Sequence, residues 1–416
     1  MAKFSIERFP PGFFDLTQDI SRGLPVDVIE GWTRSDHSLD TALKLLEPTR
    51  IECAVVSTDS AGLTTLTQRR GLIEMLALIN GPKQLVHAWG AAAGGAAVGV
   101  WAADNTEMLY PATAPPETIL SSLLSVMDAI DGACEVRIGA AAHWGGFFLL
   151  GGGLYGADAD RVERIAEDYT RGGEVLVTPE FAARLDPGDA FHFSARDGLP
   201  PELAPALRVD GGPRAVNLTP RDFQYPFPYS AEFYDDLLSY AADSGNLALL
   251  EAIHHRYSRR CAVVLIERER EETAVPEIAV LNDLALSAAM TRVGGELLRD
   301  TGGAEIKTAG PVGIFTFGDG SSALEFAHRF RKAFLDQGIQ SRIGIDEGEV
   351  LVFDLAGGLI DIAGMPVNLA SKLAQDTGEF GKIYLTEAAA RSARSPSGLQ
   401  PLAVEVAGVH VDAFWG

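Results

Sequence analysis

The chain has 416 residues, of which 47% are apolar, and is therefore long enough for two domains of ordinary size with hydrophobic cores. Its formal net charge of −23 at pH 7 argues against nucleic acid or an anionic membrane as a partner, although local positive groups could still bind a small anionic substrate. The N-terminus lacks the apolar segment of a signal peptide, and no stretch is convincing as a membrane span, so a cytoplasmic protein is predicted.

Hydrophobic periodicity predicts a helical segment before the first buried strand. Residues 1–47 carry apolar side chains at helical spacing, among them Phe13, Phe14 and Leu16, and are predicted to form a helical preface. Strand and helix patterns then alternate through the first half of the chain. The predicted elements are a strand at 54–57, a helix at 72–79, a strand at 98–101, a helix at 119–130, a strand at 136–139, a helix at 160–169 and a strand at 174–178.

The second half repeats this order after a segment of different composition. Residues 190–230 are rich in proline and glycine, which indicates a linker, and residues 231–258 have the apolar spacing of a second helical preface. The predicted elements that follow are a strand at 262–266, a helix at 281–298, a hairpin at 305–315, a helix at 323–335, a strand at 341–345, a helix at 368–375 and a strand at 382–386.

The order of these elements predicts the fold class. Each half has the order βαββαβ, which indicates an α+β fold with an antiparallel sheet and helices packed on one face. A doubly wound parallel sheet is the alternative. The tight turn at Gly310 and Pro311 argues against it, because tight turns join antiparallel strands.

An internal repeat divides the chain. Residues 51–59 return as 259–267, at an offset of 208 residues (267 − 59), and 160–164 match 368–372 at the same offset. The three cysteines have no metal-ligand spacing and are predicted to be free thiols in a reducing compartment. The predicted organisation is a helical preface at 1–47, a first domain at 48–190, a linker and second helical preface at 191–258, and a second domain at 259–416.

Three segments of the second half carry a specific resemblance to a known family. Residues 306–310 (Ile-Lys-Thr-Ala-Gly), 341–348 (Ser-Arg-Ile-Gly-Ile-Asp-Glu-Gly) and 361–372 resemble, in order and spacing, motifs of the class III nucleotidyl cyclase homology domain. The first half resembles the same domain more weakly, through 59–64 and 137–139. The resemblance implies two ferredoxin-like domains packed as a head-to-tail, pseudo-twofold pair with composite sites for a purine nucleotide.

In this family one domain binds the metal ions and phosphates, and the resemblance assigns that role to the first copy. Asp59 matches the first metal aspartate, which would bind Mg²⁺ or Mn²⁺. Gly62, Leu63 and Thr64 form a turn that opens a helix, whose free N–H groups would bind phosphate, and Arg137 matches a phosphate-facing arginine. Two cations would activate the attacking ribose oxygen and neutralise the leaving pyrophosphate.

The other domain of such a pair recognises the base, and the resemblance assigns that role to the second copy. Lys307 and Asp361 match the pair that reads adenine, and Asn368 matches an asparagine that stabilises the transition state. Lys372 stands where the family has arginine, so it keeps the charge but lacks the planar fork that binds two phosphate oxygens. One nearly complete site follows, with ATP as the first expected ligand.

The sequence departs from the family pattern at the second metal aspartate, which belongs at a hairpin tip. Residues 87–101 of the first copy contain no acidic residue, and Pro311 takes that position in the second copy. Glu267 replaces the first aspartate in the second copy and is expected to be a surface or salt-bridging residue. The mirror site is therefore expected to be inactive; it would combine Glu267, Arg342, His87, Gly153, Asp160 and Arg164.

Simpler interpretations compete at three of these positions. Asp59 and Asn368 could each be a helix N-cap, and Lys307 could be a solvated strand lysine.

Three hypotheses for function follow. The first is a pseudocyclase that binds or senses a purine nucleotide in signalling, with a regulatory protein as a further partner and without a required metal. The second is an active or weakly active adenylate cyclase that uses Mg²⁺ or Mn²⁺, and the third is a non-catalytic interaction module.

Overall fold

The computed structural model describes residues 24–99, 101, 105–188, 190–218, 220, 229–270, 273–355, 360–394, 398–406 and 409–416. Within them the helices are α1 Val26–Thr33, α2 Leu39–Leu46, α3 Leu63–Arg70, α4 Leu72–Leu78, α5 Asn80–Ala92, α6 Pro116–Ala133, α7 Ala157–Tyr169, α8 Pro179–Ala182, α9 Ala231–Ala242, α10 Leu247–Tyr257, α11 Pro276–Thr301, α12 Gly320–Leu335, α13 Met365–Gln375 and α14 Glu387–Ser392.

The strands alternate with these helices along the chain. They are β1 Arg50–Ala61, β2 Ala96–Ala97, β3 Thr106–Pro111, β4 Arg137–Leu150, β5 Gly153–Tyr155, β6 Val175–Val177, β7 His192–Ala195, β8 Leu207–Gly211, β9 Ser258–Arg268, β10 Ala304–Ala309, β11 Val312–Phe317, β12 Ser341–Asp354, β13 Ile360–Ala363, β14 Ile383–Thr386, β15 Gln400–Val406 and β16 Val409–Trp415.

The chain forms two compact units. Residues 1–46 belong with 247–416 in unit 1, and residues 47–246 form unit 2. In the described part of each unit the strands make one eight-stranded sheet with the same strand order. That order is β2-β3-β1-β4-β6-β8-β7 with β5 on β4 in unit 2, and β10-β11-β9-β12-β14-β16-β15 with β13 on β12 in unit 1. The α+β fold and the internal repeat are thus confirmed.

The central strand of each sheet has core residues on both of its faces. In β1, Ala54 and Val56 pack in one cluster with Ile119 of α6, whereas the alternate residue Val55 packs with Val162 of α7. Successive side chains of a strand point to opposite faces, so helices cover both faces of the unit 2 sheet. The prediction of helices on one face only is therefore wrong for this unit.

The first hairpin lies further along the chain than the sequence suggested. The strand predicted at 98–101 is wrong, because Trp101 is buried in a loop where its indole N–H donates to the carbonyl of Val98 over 2.9 Å. The strand that pairs with β1 is β3, with Thr106 opposite Thr58, and β2 lies outside it at the sheet edge. Its own alternation of buried and half-buried residues, starting with buried Thr106, is the strand signal that marks it.

Two strands lie inside the segment predicted as a linker. β7 and β8 pair with each other, and β8 joins the sheet beside β6. Both are short strands of mixed polarity, with β7 at the sheet edge, so their periodic signal is weak against the surrounding prolines and glycines. Residues 231–258 contain the helices α9 and α10, as predicted.

The described part of the N-terminal preface is helical and packs within unit 1. The indole N–H of Trp32 in α1 donates to the side-chain oxygen of Asn282 in α11 over 2.7 Å, and both residues are buried. Phe13, Phe14 and Leu16, on which the prediction also rested, lie outside the described residues. Searched over its described residues, the chain contains no helix that is both long and apolar enough to cross a membrane.

Candidate functional site

Lys307 and Asp361 form an ion pair in unit 1. The Lys307 ammonium lies 2.9 Å from Oδ2 of Asp361, and the second carboxylate oxygen accepts a hydrogen bond from the Ile362 backbone N–H over 2.9 Å. The Asp361 side chain is only 7% exposed, whereas that of Lys307 is 41% exposed. The strand β13 thus fixes the carboxylate and leaves the ammonium accessible to a ligand. The alternative of a solvated strand lysine is thus joined by a defined partner, because Lys307 is partly exposed and also paired with Asp361.

Asn368 and Lys372 occupy the fourth and eighth residues of α13. The helix has Gly364 as its N-cap and begins at Met365, so the alternative that Asn368 caps this helix is wrong. Residues four apart lie on one helix face, which places Asn368 and Lys372 side by side. Asn368 is exposed, and the Lys372 ammonium lies 2.6 Å from a carboxylate oxygen of Asp376.

Asp59 lies near the end of β1 in unit 2, directly before a glycine turn. It is half-buried and stands opposite Gly139 in the register of β1 with β4. Gly62 is the N-cap of α3 with φ of +75°, a conformation that glycine adopts without the steric cost of a side chain, and Leu63 is the first helical residue. The interpretation of Asp59 as the helix N-cap is therefore wrong.

The turn after Asp59 leads into α3 through a glycine N-cap. The Gly62 N-cap makes no side-chain hydrogen bond to the helix, so the first turn has no capping side chain of that kind. The free N–H groups of a first helical turn can bind phosphate oxygens. Thr64 belongs to this turn, but its side chain lies outside the described ones.

Arg137 begins β4 on the same side of the sheet as this turn. It stands opposite Ala61, is 57% exposed, and forms an ion pair with Asp131. The Arg-Ile-Gly string of the first copy does not, however, occupy the register position of the same string in the second copy.

The two Arg-Ile-Gly strings differ in register by two residues. The difference follows from the pairing of β4 with β1 and of β12 with β9. Gly145 pairs with Cys53 and Gly348 pairs with Cys261, so β4 and β12 match at an offset of 203 (348 − 145). Arg342 therefore corresponds to Gly139, two residues after Arg137 (342 − 203 = 139). The match of Arg137 to the family arginine through its flanking sequence is thus out of register, although both positions face the same side.

Glu267, the unit 1 counterpart of Asp59, forms an ion pair within its own unit. Oε2 of Glu267 accepts a hydrogen bond from Nε of Arg342 over 2.9 Å and lies 2.7 Å from Nη2 of the same guanidinium. Arg342 also donates to the carbonyl of Gly378 and lies over the Phe380 ring, 4.9 Å from its centroid. A carboxylate neutralised in this way does not fit a divalent cation, and the expectation that Glu267 is a salt-bridging residue is confirmed.

Arg268, the residue after Glu267, connects this end of β9 to α11. The Arg268 side chain is fully buried, and its guanidinium lies 2.9 Å from a carboxylate oxygen of Asp283 in α11. It also donates to the backbone carbonyl of Asp283 over 3.0 Å. At the offset of 208, Arg268 takes the place of Ser60, so β9 is tied to α11 where unit 2 has its glycine turn.

The first hairpin of unit 2 extends beyond residues 87–101, the segment in which its tip was predicted. Residues 87–92 belong to α5, and the connection between the hairpin strands β2 and β3 runs from 98 to 105. This connection contains Asp104, which lies outside the described residues. The prediction of a tip without an acidic residue rested on 87–101, which covers only the first part of this connection; it stays a prediction, because it falls on residues outside the described ones.

Strand register gives the sequence position of Asp104 relative to the second copy. Thr106 pairs with Thr58, and Gly313 pairs with Ile266, the residue 208 positions after Thr58. Counting back two residues from each gives Asp104 and Pro311. Asp104 thus occupies, in sequence, the position that the resemblance assigns to the second metal aspartate.

The donor chemistry for a metal is only partly present in the described residues. No group of three or more histidine, cysteine, aspartate or glutamate side chains converges there to hold an ion. Mg²⁺ is commonly bound through one or two carboxylates together with substrate phosphates. Asp59 fits the role of one such ligand by residue type and position, whereas Glu267 does not.

A pair of buried side chains repeats in the two units and was not expected. Nδ1 of His143 lies 2.7 Å from the Thr178 hydroxyl in unit 2, and Thr386 donates to Asp346 in unit 1. At offsets of 203 and 208 these pairs occupy equivalent positions. Burial raises the pKa of Asp346 above its ordinary value, against the opposing effect of the Thr386 hydroxyl. Only the strand register, which the sequence match missed, makes the equivalence visible.

The solved structures to which this chain is similar are class III adenylyl and guanylyl cyclase domains and a related nucleotide-binding protein. The class III adenylyl cyclase-like ATP-binding protein from Pseudomonas aeruginosa is 12% identical, covers 82% of this chain and 85% of its own, and has a TM-score of 0.48. The guanylate cyclase domain of RhGC from Catenaria anguillulae is 17% identical and covers 38% of this chain and 95% of its own, with a TM-score of 0.33.

The adenylate/guanylate cyclase/hydrolase from Silicibacter pomeroyi is 22% identical and covers 38% of this chain and 96% of its own, with a TM-score of 0.32. Neither family models nor curated proteins give a match. The similarity to class III cyclase domains that the motifs predicted is thus found among solved structures, and at these identities it concerns the fold alone.

Proposed function

We propose that this chain is a class III cyclase-like protein that binds a purine nucleotide, with ATP as the first expected ligand. The observation that carries the proposal is the ion pair of Lys307 with Asp361, two residues that lie on separate strands and match the adenine-reading pair of the family. An adenine edge offers one acceptor nitrogen beside an amino donor. An ammonium and a carboxylate side by side complement both groups.

Binding is tested by calorimetric titration of ATP into the full chain and its variants. Lys307→Met removes the donor and leaves Asp361 buried without its partner, so we expect ATP affinity to fall by about tenfold or more. Lys332→Met is the matched control, because this lysine is exposed and pairs only with Asp336 within α12. Equal affinity of the Lys307→Met variant and the parent would refute base recognition by this pair.

The binding of the nucleotide phosphates by Gly62, Leu63, Thr64 and Arg137, and of a metal ion by Asp59, remains a prediction from the resemblance. Arg137→Gln tests it, because removal of a phosphate-binding cation should weaken ATP more than adenosine. Loss of affinity for both ligands alike would instead indicate a general effect on folding. Absence of any nucleotide binding at millimolar concentration would favour the interaction-module hypothesis.

An active adenylate cyclase is the second candidate, and Asp104 is the residue that favours it. With Asp59 it would supply the two carboxylates that a two-metal mechanism requires. The test is cyclic AMP formation from ATP with Mn²⁺ or Mg²⁺, compared between the parent, Asp59→Asn and Asp104→Asn. Activity that both substitutions abolish supports catalysis. Nucleotide binding without cyclic AMP from the parent supports a pseudocyclase.

A further inference from the structure

Unit 2 contains a cavity of about 390 Å³ near the start of β1. It opens on the sheet face that α6 covers, since Trp144 of its lining packs in the same cluster as Ile119. Cavities of this size are within the range that binds small molecules. Its lining consists of Arg50, Glu52, Trp144, Gly145, Gly146, Glu180 and Arg184.

Most of the charges that line this cavity are paired. The Arg184 guanidinium lies 2.6 Å from a carboxylate oxygen of Glu52 and 4.8 Å from the centroid of the Trp144 ring. The Glu52 carboxylate is held ionised, because hydrogen bonds first from Arg184 and then from Trp144 lower its pKa. Glu180 pairs with Arg161 over 3.0 Å.

Arg50 is the exception. None of the ion pairs between described residues includes it, and its Nε and Nη2 lie 3.9 Å from the position that a Cβ on Gly146 would take. The guanidinium therefore lies beside a glycine surface that leaves room next to it. Its charge also acts on Glu52, whose pKa it helps to lower, and a guanidinium without an ion pair of its own in a concave site can bind an anionic ligand.

The equivalent positions in unit 1 carry a different set of side chains. At the offsets of 208 and 203, Glu52 corresponds to Arg260 and Trp144 corresponds to Glu347. The Glu347 carboxylate accepts a hydrogen bond from Arg260 over 3.2 Å and another from the backbone N–H of Gly320, at the start of α12, over 3.1 Å. Unit 1 therefore has no aromatic side chain at the position of Trp144, so the lining of the unit 2 cavity is specific to its sequence.

We propose that the cavity of unit 2 binds a small organic anion, whose carboxylate or phosphate group pairs with Arg50 and whose planar part packs against the stacked Trp144 and Arg184. Arginine suits this role because its planar fork can bind two oxygens of either group at once. The residues of this cavity belong to unit 2, whereas Lys307 and Asp361 belong to unit 1, and the proposal stands or falls independently of the nucleotide contacts proposed for that pair.

The experiment follows the indole N–H resonance of Trp144 in the full chain during titration, assigned with Trp144→Phe. Benzoate and phenyl phosphate are the charged probes, and benzamide is the neutral one. We expect a saturable shift with at least one anion at a Kd of about 1 mM, as befits so small a ligand, and none with benzamide. The preferred anion distinguishes a carboxylate ligand from a phosphate ligand.

Arg50→Gln should weaken the binding by about tenfold or more, since the charge-assisted hydrogen bonds are lost. Arg208→Gln is the matched control, an exposed arginine of the same unit that pairs with Asp210. An unchanged amide spectrum away from the cavity shows that each variant is folded. The proposal is overturned if neither anion shifts the Trp144 resonance, or if Arg50→Gln binds as tightly as the Arg208→Gln control.

Discussion

Removing the Glu267 carboxylate should destabilise unit 1 far more than removing a carboxylate from an exposed pair. Glu267 and Arg342 are 16% and 20% exposed, and one carboxylate oxygen accepts a charged hydrogen bond from Nε and forms an ion pair with Nη2. A hydrogen bond to a charged group contributes about 1.5–3 kcal/mol, and the partial exposure of the pair keeps the value below the top of that range, so we expect Glu267→Ala to cost about 2 kcal/mol. For a unit of this size that corresponds to a fall in Tm of roughly 4–8 °C.

The matched comparison is Asp300→Ala in the same unit. Asp300 and Arg329 pair over 2.6 Å but are 64% and 38% exposed, so the loss should be within about 1 kcal/mol. Thermal unfolding gives the overall effect, and hydrogen exchange of the β12 amides localises it to unit 1. An equal loss in the two variants would refute the inference that the Glu267 pair holds this end of the sheet together.

Two further predictions concern unit 2. Gly62→Ala should destabilise it by about 1 kcal/mol, because φ at Gly62 is +75°, whereas Gly132→Ala, in a helix with open space at its Cβ, should be neutral or stabilising in the same denaturation experiment. Burial raises the pKa of Glu107 to about 8, so the folded state binds one more proton than the unfolded state between about pH 4.3 and 8. The free energy of unfolding should therefore fall as pH rises through that window. Glu107→Gln should flatten the dependence of Tm on pH, and an unchanged profile would contradict this assignment.

The second hairpin was predictable because its turn has a clear local signal. Gly310 and Pro311 separate β10 from β11 at the expected place. The first hairpin has no such signal, since the alanine- and glycine-rich run that precedes it continues α5 and then enters a loop. Trp101 lies in that loop, and its side chain is buried in the core. Hydrophobicity alone does not separate a buried loop from a buried strand.

The alignment of β4 with β12 was the other feature that the sequence did not predict correctly. The string Arg-Ile-Gly occurs at 137–139 and at 342–344, and identity of letters favours an offset of 205 (342 − 137). The pairing of β4 with β1 gives 203 instead. A shift of two residues preserves the face on which each side chain lies, so the hydrophobic pattern cannot detect it. Only the hydrogen-bonded partners of the central strand decide it.

The contact between Lys307 and Asp361 was implied by the family resemblance and not by spacing. The residues are 54 positions apart on β10 and β13, strands that each pair with a different neighbour. No periodic pattern links two such positions. The resemblance was sufficient here because both residues lie within motifs of several matching letters, in contrast to the first copy, where short matches misplaced both the hairpin and the arginine.

The two copies end the same central strand in opposite ways, and the residues at that end explain why their roles should differ. In unit 1 Glu267 and Arg342 neutralise each other, and buried Arg268 ties the strand to α11, so neither the carboxylate nor the backbone beyond it is disposed to bind a cation or a phosphate. In unit 2 the position of Arg342 is Gly139, which has no side chain to form the same ion pair, and the chain turns at Gly62 into a helix start. The ion pair that ends the central strand of unit 1 is therefore not repeated between the equivalent positions of unit 2, and this difference is what the proposed division of roles between the copies rests on.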